Sequence, residues 1–355
     1  MGANLMPPSA FVDPPGDAVY LPATMTLRVS RDRLTELLNR ARGKRVAVVG
    51  DAMLDSYLTG DVDRVSPEAP VVVVRVRERR HALGGAANVA QNVMTIGCQC
   101  DLVAALGSDR GGEVMREMIA AMGIGSDSLL TVGRPTTQKT RIVARSQQLL
   151  RVDEEDDSDL TGEEAERLIG LVTNAVGQAD ALVLEDYNKG VLVPAVIEHA
   201  MRVARARGIP IVVDPKFKNF FSYGGATVFK PNRRELESAL GAAIQLEDAG
   251  ALPEALHRLG VENLLLTLGE QGMVLISRDG EVGRASTVAR EVYDVVGAGD
   301  TVTAYLAAIL AAGGSPFEAA VIANIAAGIE VGKLGAATVS AAEVFSYADE
   351  HALHG

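Results

Sequence analysis

The run Asp294-Val295-Val296-Gly297-Ala298-Gly299-Asp300-Thr301 places two glycines and a carboxylate at the mouth of an Ala-rich stretch, Val302–Ala312. Glycines let the backbone turn sharply there, so that several N–H groups and the positive end of a helix dipole converge on one point. An anion hole of this kind, built from the amides of Gly297, Ala298 and Gly299, suits a phosphoryl group in transfer. Asp300, in the first turn beside it, is placed to take a proton from an acceptor hydroxyl. The same residues also fit an ordinary strand-to-helix turn with an Asp cap, so the run alone leaves both readings open. A dinucleotide fingerprint lacks its third glycine and no G-x-x-x-x-G-K-[ST] occurs, so neither a Rossmann cofactor site nor a P-loop is supported.

Three more segments carry chemistry. In Gly84-Gly85-Ala86-Ala87-Asn88 the small residues allow close backbone approach by a ligand, and Asn88 offers a donor and an acceptor for sugar hydroxyls. In Lys230-Pro231-Asn232-Arg233-Arg234-Glu235 the spacing makes Asn232 an N-cap and Glu235 its N3 partner; the same pair also suits a nucleotide's phosphates and Mg²⁺ held through water. Thr267-Leu268-Gly269-Glu270-Gln271-Gly272 closes a buried strand with two glycines, where a ribose or phosphate would lie close to the backbone. Lys216, in Asp214-Pro215-Lys216, follows another buried strand and is a candidate to meet a nucleotide's phosphates.

These segments need elements to hold them. Short apolar runs at Arg45–Val49, Val71–Val76, Leu102–Ala105, Ala181–Leu184, Ile211–Val213, Val228–Phe229, Leu264–Thr267 and Val274–Ile276 alternate with helical patterns. The helices are expected near Ser30–Arg42, Ala86–Ile96, Gly112–Met122, Thr161–Val176, Pro194–Arg207, Arg233–Leu240, Leu252–Leu259, Gly299–Ala312 and Pro316–Val331. Such alternation implies βαβ units around a mostly parallel sheet, an α/β fold. Gly60–Val76 and Arg134–Val152 break the pattern with strand-like runs and no helix, as a small β-sheet lid over the ligand would. Residues 1–27, with Pro7, Pro8, Pro14, Pro15 and Pro22, read as a disordered leader, and 28–355 as a single domain. Asp153–Asp159 reads as a solvated loop before a helix capped by Thr161, with Glu164 completing a capping box.

Composition narrows the partners. The chain of 355 residues is 48% hydrophobic but only 4% aromatic, so its core rests on Val, Leu, Ile and Ala. A net charge of −12 argues against nucleic acid or an anionic membrane as partner, since either needs a basic footprint. A small anionic substrate needs only a few local cations. Cys98 and Cys100 form no second cluster and read as structural. With no stretch near the ~18 apolar residues of a membrane span and no secretory signal, the expectation is a cytoplasmic protein.

Together the four segments resemble the ribokinase-like PfkB carbohydrate kinases. GGAAN is similar to the N-terminal signature of that family, and DVVGAGD to its C-terminal D-T-x-G-A-G-D, with Val295 in place of the common Thr. The resemblance covers about Arg45–Val339. It extends further: Gly50–Asp55, Arg64–Pro70, Gln147–Asp153 and Asp186–Gly190 resemble the heptose-7-phosphate kinases of lipopolysaccharide-core synthesis. The five histidines, His81, His199, His257, His351 and His354, form no H-x-G-H of the nucleotidyltransferase often fused to such kinases, so the chain reads as the stand-alone kinase.

The resemblance implies a ribokinase-like fold and roles by position. Asp300 matches the base and Gly297–Gly299 the anion hole; Asn232, Arg233, Arg234 and Glu235 match the nucleotide and magnesium segment. Thr267, Gly269 and Gly272 match the nucleotide loop, and Asn324 a residue flanking adenine. Asp51, Asp55, Gly84, Gly85 and Asn88 match positions that hold sugar hydroxyls. Cofactors would be ATP and Mg²⁺, with K⁺ at a loop near Val295. The implied reaction is ATP-dependent phosphorylation of the C1 hydroxyl of D-glycero-D-manno-heptose 7-phosphate. Kinases for fructose 1-phosphate or tagatose 6-phosphate, and a non-catalytic sugar- or nucleotide-binding protein, are the alternatives. A sugar phosphate also needs cations for its own phosphate, and Lys139, Arg141, Arg145, Arg151 and Lys189 near the lid are candidates, with Asp186 beside them. A homodimer through the lid strands is expected, to cover an otherwise exposed apolar face.

Overall fold

The computed structural model describes residues 25–350, with 126, 146, 247, 249, 289–292 and 334–336 excepted. In chain order the first elements are β1 (Met25–Thr26), α1 (Arg31–Ala41), β2 (Arg45–Gly50), β3 (Ala52–Val65), β4 (Val72–Gly85) and α2 (Ala86–Ile96). Next come β5 (Gln99–Gly107), α3 (Arg110–Ala121), β6 (Leu129–Val132), β7 (Gln138–Ala144), β8 (Gln147–Glu154) and α4 (Gly162–Gln178). The second half begins with β9 (Ala181–Glu185), α5 (Pro194–Arg207), β10 (Ile211–Asp214), β11 (Val228–Phe229), α6 (Arg233–Leu240) and α7 (Ala251–Leu259). It ends with β12 (Asn263–Thr267), β13 (Met273–Ser277), β14 (Val282–Ala285), α8 (Ala298–Ala311), α9 (Pro316–Glu330) and α10 (Ala341–Glu350).

Ten strands form one sheet in the order β1-β14-β13-β12-β11-β10-β9-β2-β5-β6. All neighbours run parallel except at β13, which is antiparallel to both β12 and β14. Successive side chains of a strand point to opposite faces, and β2 shows the consequence: Val46 and Val48 enter one core, Ala47 and Val49 the other. The first core packs α1, α2, α8 and α9 on one face; the second packs α4, α5 and α7 on the opposite face. α8 is buried on all sides from Asp300 to Leu310, because its sequence has no polar stripe to offer water.

The expected lid is a separate four-stranded sheet, order β4-β3-β7-β8, and its strands run well past the expected limits. β3 and β4 pair antiparallel over their whole length, and β7 lies parallel to β3. The sequence reading had no strand at Leu129–Val132 or Val282–Ala285 and no helix at Ala341–Glu350. Most of the leader, residues 1–24, lies outside the described residues; Met25 and Thr26 pair in parallel with Gly283 and Arg284. Thr161 does precede α4, but its side chain makes no capping hydrogen bond, so the expected capping box is not formed.

Candidate active site

Chain order reverses at β2, which lies between β5 on one side and β9 on the other. In an open parallel sheet, ligands bind in the crevice beyond the carboxyl ends of strands at such a switch. Here Gly50, Glu185 and Asp214, the last residues of β2, β9 and β10, stand in register across the sheet edge. β9 and β10 are apolar until their final residues, so the register gathers Glu185 and Asp214 at the one place where the sheet meets the cleft.

Asp51, buried just after β2, spends its carboxylate on the backbone. It accepts from the amides of Tyr187 and Lys189 at 2.8 and 2.9 Å and of Val191 at 3.1 Å, which ties down the loop after β9. Burial pushes its pKa up to about 6 against those hydrogen bonds. Gly85 ends β4 at φ +57°, and a Cβ there would run into the Asp51 carbonyl, so a glycine is required. At Gly84 a Cβ would lie 2.7 Å from Asp55 Oδ2. Asp186 is equally occupied, accepting from the Tyr223 hydroxyl at 2.7 Å and the Asn188 amide at 2.8 Å. Asp51 and Asp186, assigned from the resemblance to substrate, are thus placed as supports of the 186–191 loop.

Asp300 is buried in the first turn of α8. Asn88 Nδ2 donates to its Oδ2 at 2.7 Å, and the Tyr187 hydroxyl to its Oδ1 at 3.1 Å. The Asn88 side chain is itself braced by Asn92, which Thr301 holds in turn. Asn88 therefore faces the carboxylate of Asp300, where the sequence reading had turned it toward sugar hydroxyls. Burial, reinforced by Asp214, pushes the Asp300 pKa up to about 6, while Asn88, Tyr187 and Lys230 oppose the shift. A carboxylate poised there is ionised at neutral pH yet basic enough to take a hydroxyl proton during transfer.

Beside it lies a buried pair, Lys230 Nζ to Asp214 Oδ2 at 2.7 Å. Burial works against the Lys230 ammonium, but Asp214 and Glu185 hold its pKa above the usual lysine value. Glu185 is fully buried and neither of its carboxyl oxygens has a hydrogen-bond partner. Burial, then Asp214 and Asp300, hold its pKa well above the usual carboxylate range. Among the described residues, Glu185, Asp214 and Asp300 are the acidic group whose oxygens all approach within 4.8 Å of one another. An all-oxygen set with one unpartnered member fits a hard divalent cation such as Mg²⁺.

A cavity of about 660 Å³ opens between these residues and β12. Lys216, Asn232, Glu235, Thr267, Gly269, Gly272 and Asn324 all line it, as do Ala298 and Gly299 of the α8 turn. Asn232 and Glu235 form the expected capping box. The Glu235 carboxylate is doubly engaged, with the Lys216 ammonium and with the Asn232 amide at 2.8 Å, so a metal would meet it through water. Asn324 donates to the Ser286 carbonyl at 2.7 Å while facing the same space. Arg233 and Arg234 do not line the cavity. One helical turn carries Arg233 round to Glu237 and the Ile244 carbonyl, and leaves Arg234 exposed. The left-handed backbone of the glycine turn falls at Gly297, φ +99°, whereas a Cβ at Gly299 would meet only Lys230 and Asp214 at ordinary distances.

The lid cations divide sharply. Arg141 is half-buried and paired with buried Asp55. Lys139 sits over the Tyr187 ring, 5.6 Å from its centre, with Lys216 5.2 Å from the same ring. Lys189 is paired with Glu155 at 2.9 Å, and Arg151 is exposed and paired with Asp153. Arg145 lies exposed at the end of the β7–β8 hairpin at φ +48°. The residues that sequence reasoning did not assign are Glu185, Tyr187, Asp214 and Lys230. For Glu185, Asp214 and Lys230 the one visible signal is a polar residue closing an apolar run, in LVLED, IVVD and VFK.

Residues 44–343 match the family model described as pfkB family carbohydrate kinase. The bifunctional protein HldE of Pelobacter propionicus is 44% identical over 324 residues, and that of Rhodospirillum rubrum 44% over 317. They cover 90% and 88% of this chain, which spans 66% and 64% of their length. Among solved structures, Arabidopsis thaliana ribokinase complexed with ribose and ATP aligns with a TM-score of 0.68 at 20% identity, covering 86% of this chain and 98% of its own. Escherichia coli phosphofructokinase-2 in complex with potassium aligns at 0.71 and 18%, covering 87% and 99%. These likenesses bear on the fold alone, and the sugar-kinase assignment rests on the family match. The chain belongs to the pfkB family of carbohydrate kinases and has their ribokinase-like fold.

Proposed function

We propose that the protein transfers the terminal phosphoryl group of ATP to the C1 hydroxyl of D-glycero-D-manno-heptose 7-phosphate, giving the 1,7-bisphosphate and ADP. The observation that carries the reading is Asp300, buried in its glycine turn, held by Asn88 and Tyr187 and adjoining the large cavity. The heptose assignment is supported by 44% identity to bifunctional HldE proteins over 90% of the chain. In this reading Asp300 accepts the acceptor hydroxyl's proton as its oxygen attacks the terminal phosphorus. The Gly297–Gly299 amides and Lys216 offset charge on the phosphoryl oxygens. ATP lies in the cavity beside Thr267, Gly269, Gly272 and Asn324.

Mg²⁺ would be held by Asp214 and Glu185, with Glu235 through water, and would neutralise part of the nucleotide's charge. A K⁺ ion at the loop near Val295 belongs to the same reading; burial and the Asp294 charge hold the Glu330 carboxyl up at about 8. The protein acts in the cytoplasm as a homodimer; Val65, Val72, Leu150 and Val152, exposed on the small sheet, support such a surface. Among the described residues, no helix is long and apolar enough to cross a membrane. ADP release measured with heptose 7-phosphate, free heptose, fructose 1-phosphate and tagatose 6-phosphate tests the substrate. Turnover of the heptose phosphate should exceed the others at least tenfold in kcat/KM, and a preference for another sugar would overturn the assignment.

A further inference from the structure

Strand register puts Tyr57 of β3 opposite Arg80 of β4 on one side and Arg141 of β7 on the other. Residues paired this way point to the same face, and the side chains meet accordingly. The Arg80 guanidinium lies 4.7 Å from the centre of the Tyr57 ring, and that of Arg141 5.3 Å. One aromatic ring is thus flanked by two guanidiniums. The Tyr57 hydroxyl is buried and has no hydrogen-bond partner among the described residues. Two residues along β3, Asp55 stands opposite Lys139, whose ammonium overhangs the Tyr187 ring that reaches Asp300.

The charges on this face do not cancel. Arg141 is paired with Asp55, while Arg80 and Lys139 are in no ion pair among the described residues. The register also puts Glu78 and the paired Arg151 and Asp153 on this face, so four cations against three carboxylates leave a surplus of one positive charge on a chain whose net charge is −12. Burial also holds the Tyr57 phenol above its usual range, so it is a neutral donor at pH 7. We infer that Arg80, Arg141 and the Tyr57 hydroxyl form a clamp for a phosphate monoester carried by the sugar, with Lys139 between the clamp and Asp300. Guanidiniums match phosphate oxygens in planar, paired hydrogen bonds, and the phenol supplies the third donor. Arg151 and Lys189 are already neutralised by Asp153 and Glu155. Arg145, four residues beyond Arg141 and one past the end of β7, is roughly 13 Å further along the hairpin.

The inference rests on the sugar-phosphate reading, and the experiment separates the two. Arg80 is exposed and Tyr57 half-buried, so Arg80→Gln and Tyr57→Phe spare the core, whereas Arg141 is tied to buried Asp55. KM and kcat are measured for heptose 7-phosphate, free heptose and ATP in both variants, with Arg151→Gln as control. Each variant should raise KM for the sugar phosphate about ten- to a hundredfold, the size of a lost charge-assisted hydrogen bond. KM for ATP, kcat and KM for free heptose should stay within about twofold, as should every constant of the control. Unchanged KM for the sugar phosphate in both variants, in an enzyme that still prefers it to free heptose, would refute the clamp and leave the function standing. A rise in KM for ATP instead would assign these residues to the nucleotide and also refute it. Equal use of the two sugars by the wild type would remove the sugar-phosphate reading and the clamp together.

Discussion

Replacing Asn88 by Leu removes the hydrogen bond to Asp300 Oδ2 and little else. Leu is close in shape, and Asn92 keeps its bond to the Asn88 backbone carbonyl at 3.1 Å. The lost bond is short, 2.7 Å, buried, and made to an ionised oxygen, a class with a net value of about 1.5–3 kcal/mol. It favours the charged form, so its loss raises the pKa of the base. At 1.36 kcal/mol per unit, the rise is about one to two units. The acidic limb of kcat/KM, near pH 6 in the wild type, should move to about 7–8. Activity depends on the ionised base, so it rises with pH through that limb and levels off above it. At pH 7 the ionised fraction falls from about nine tenths to between one half and one tenth, a two- to tenfold loss that largely recovers by pH 9. The assay is ADP release between pH 5 and 9 at low sugar concentration, which reports the free enzyme. An acidic limb within half a unit of wild type, in a variant with an unchanged melting temperature, would refute the pairing of Asn88 with the base.

Two further perturbations follow from the geometry. Lys230→Met leaves Asp214 and Asp300 buried without their cation, and should cost about 3–5 kcal/mol in urea unfolding as well as raising the activity limb; an unchanged unfolding midpoint would mean the pair is not held in the folded protein. Gly85→Ala forces a side chain onto a φ of +57° against the Asp51 carbonyl, and should lower stability by about 1–3 kcal/mol; a melting curve superposable on wild type would show that the turn relaxes freely.

The glycine turn and its Asp300 were legible because their chemistry is local. Seven residues contain the turn, the dipole and the carboxylate. The capping box at Asn232 and Glu235 was legible for the same reason, and with it the side of α6 that meets the cavity. What surrounds Asp300 was not legible, because it depends on register. Glu185 and Asp214 are 29 residues apart in the chain and become neighbours only through β9 and β10. Lys230 joins them from β11. Asn88 was found, but its partner is 212 residues away, and no spacing rule says that its amide faces a carboxylate. The lid illustrates the same limit. Its strands announce themselves by composition, yet only the parallel pairing of β3 with β7 shows that Tyr57 lies between Arg80 and Arg141.

The account turns on Asp300 as the base, and Asp300→Asn tests it most directly. The amide keeps the shape; its one oxygen can still accept from Asn88, and the Tyr187 hydroxyl can turn to accept from its NH2, but it takes no proton. ADP release with heptose 7-phosphate and ATP should fall about 10²–10⁴-fold in kcat, while calorimetric ATP affinity and the melting temperature stay near wild type. A variant retaining more than about a tenth of wild-type kcat would contradict the role of Asp300 and the mechanism built on it.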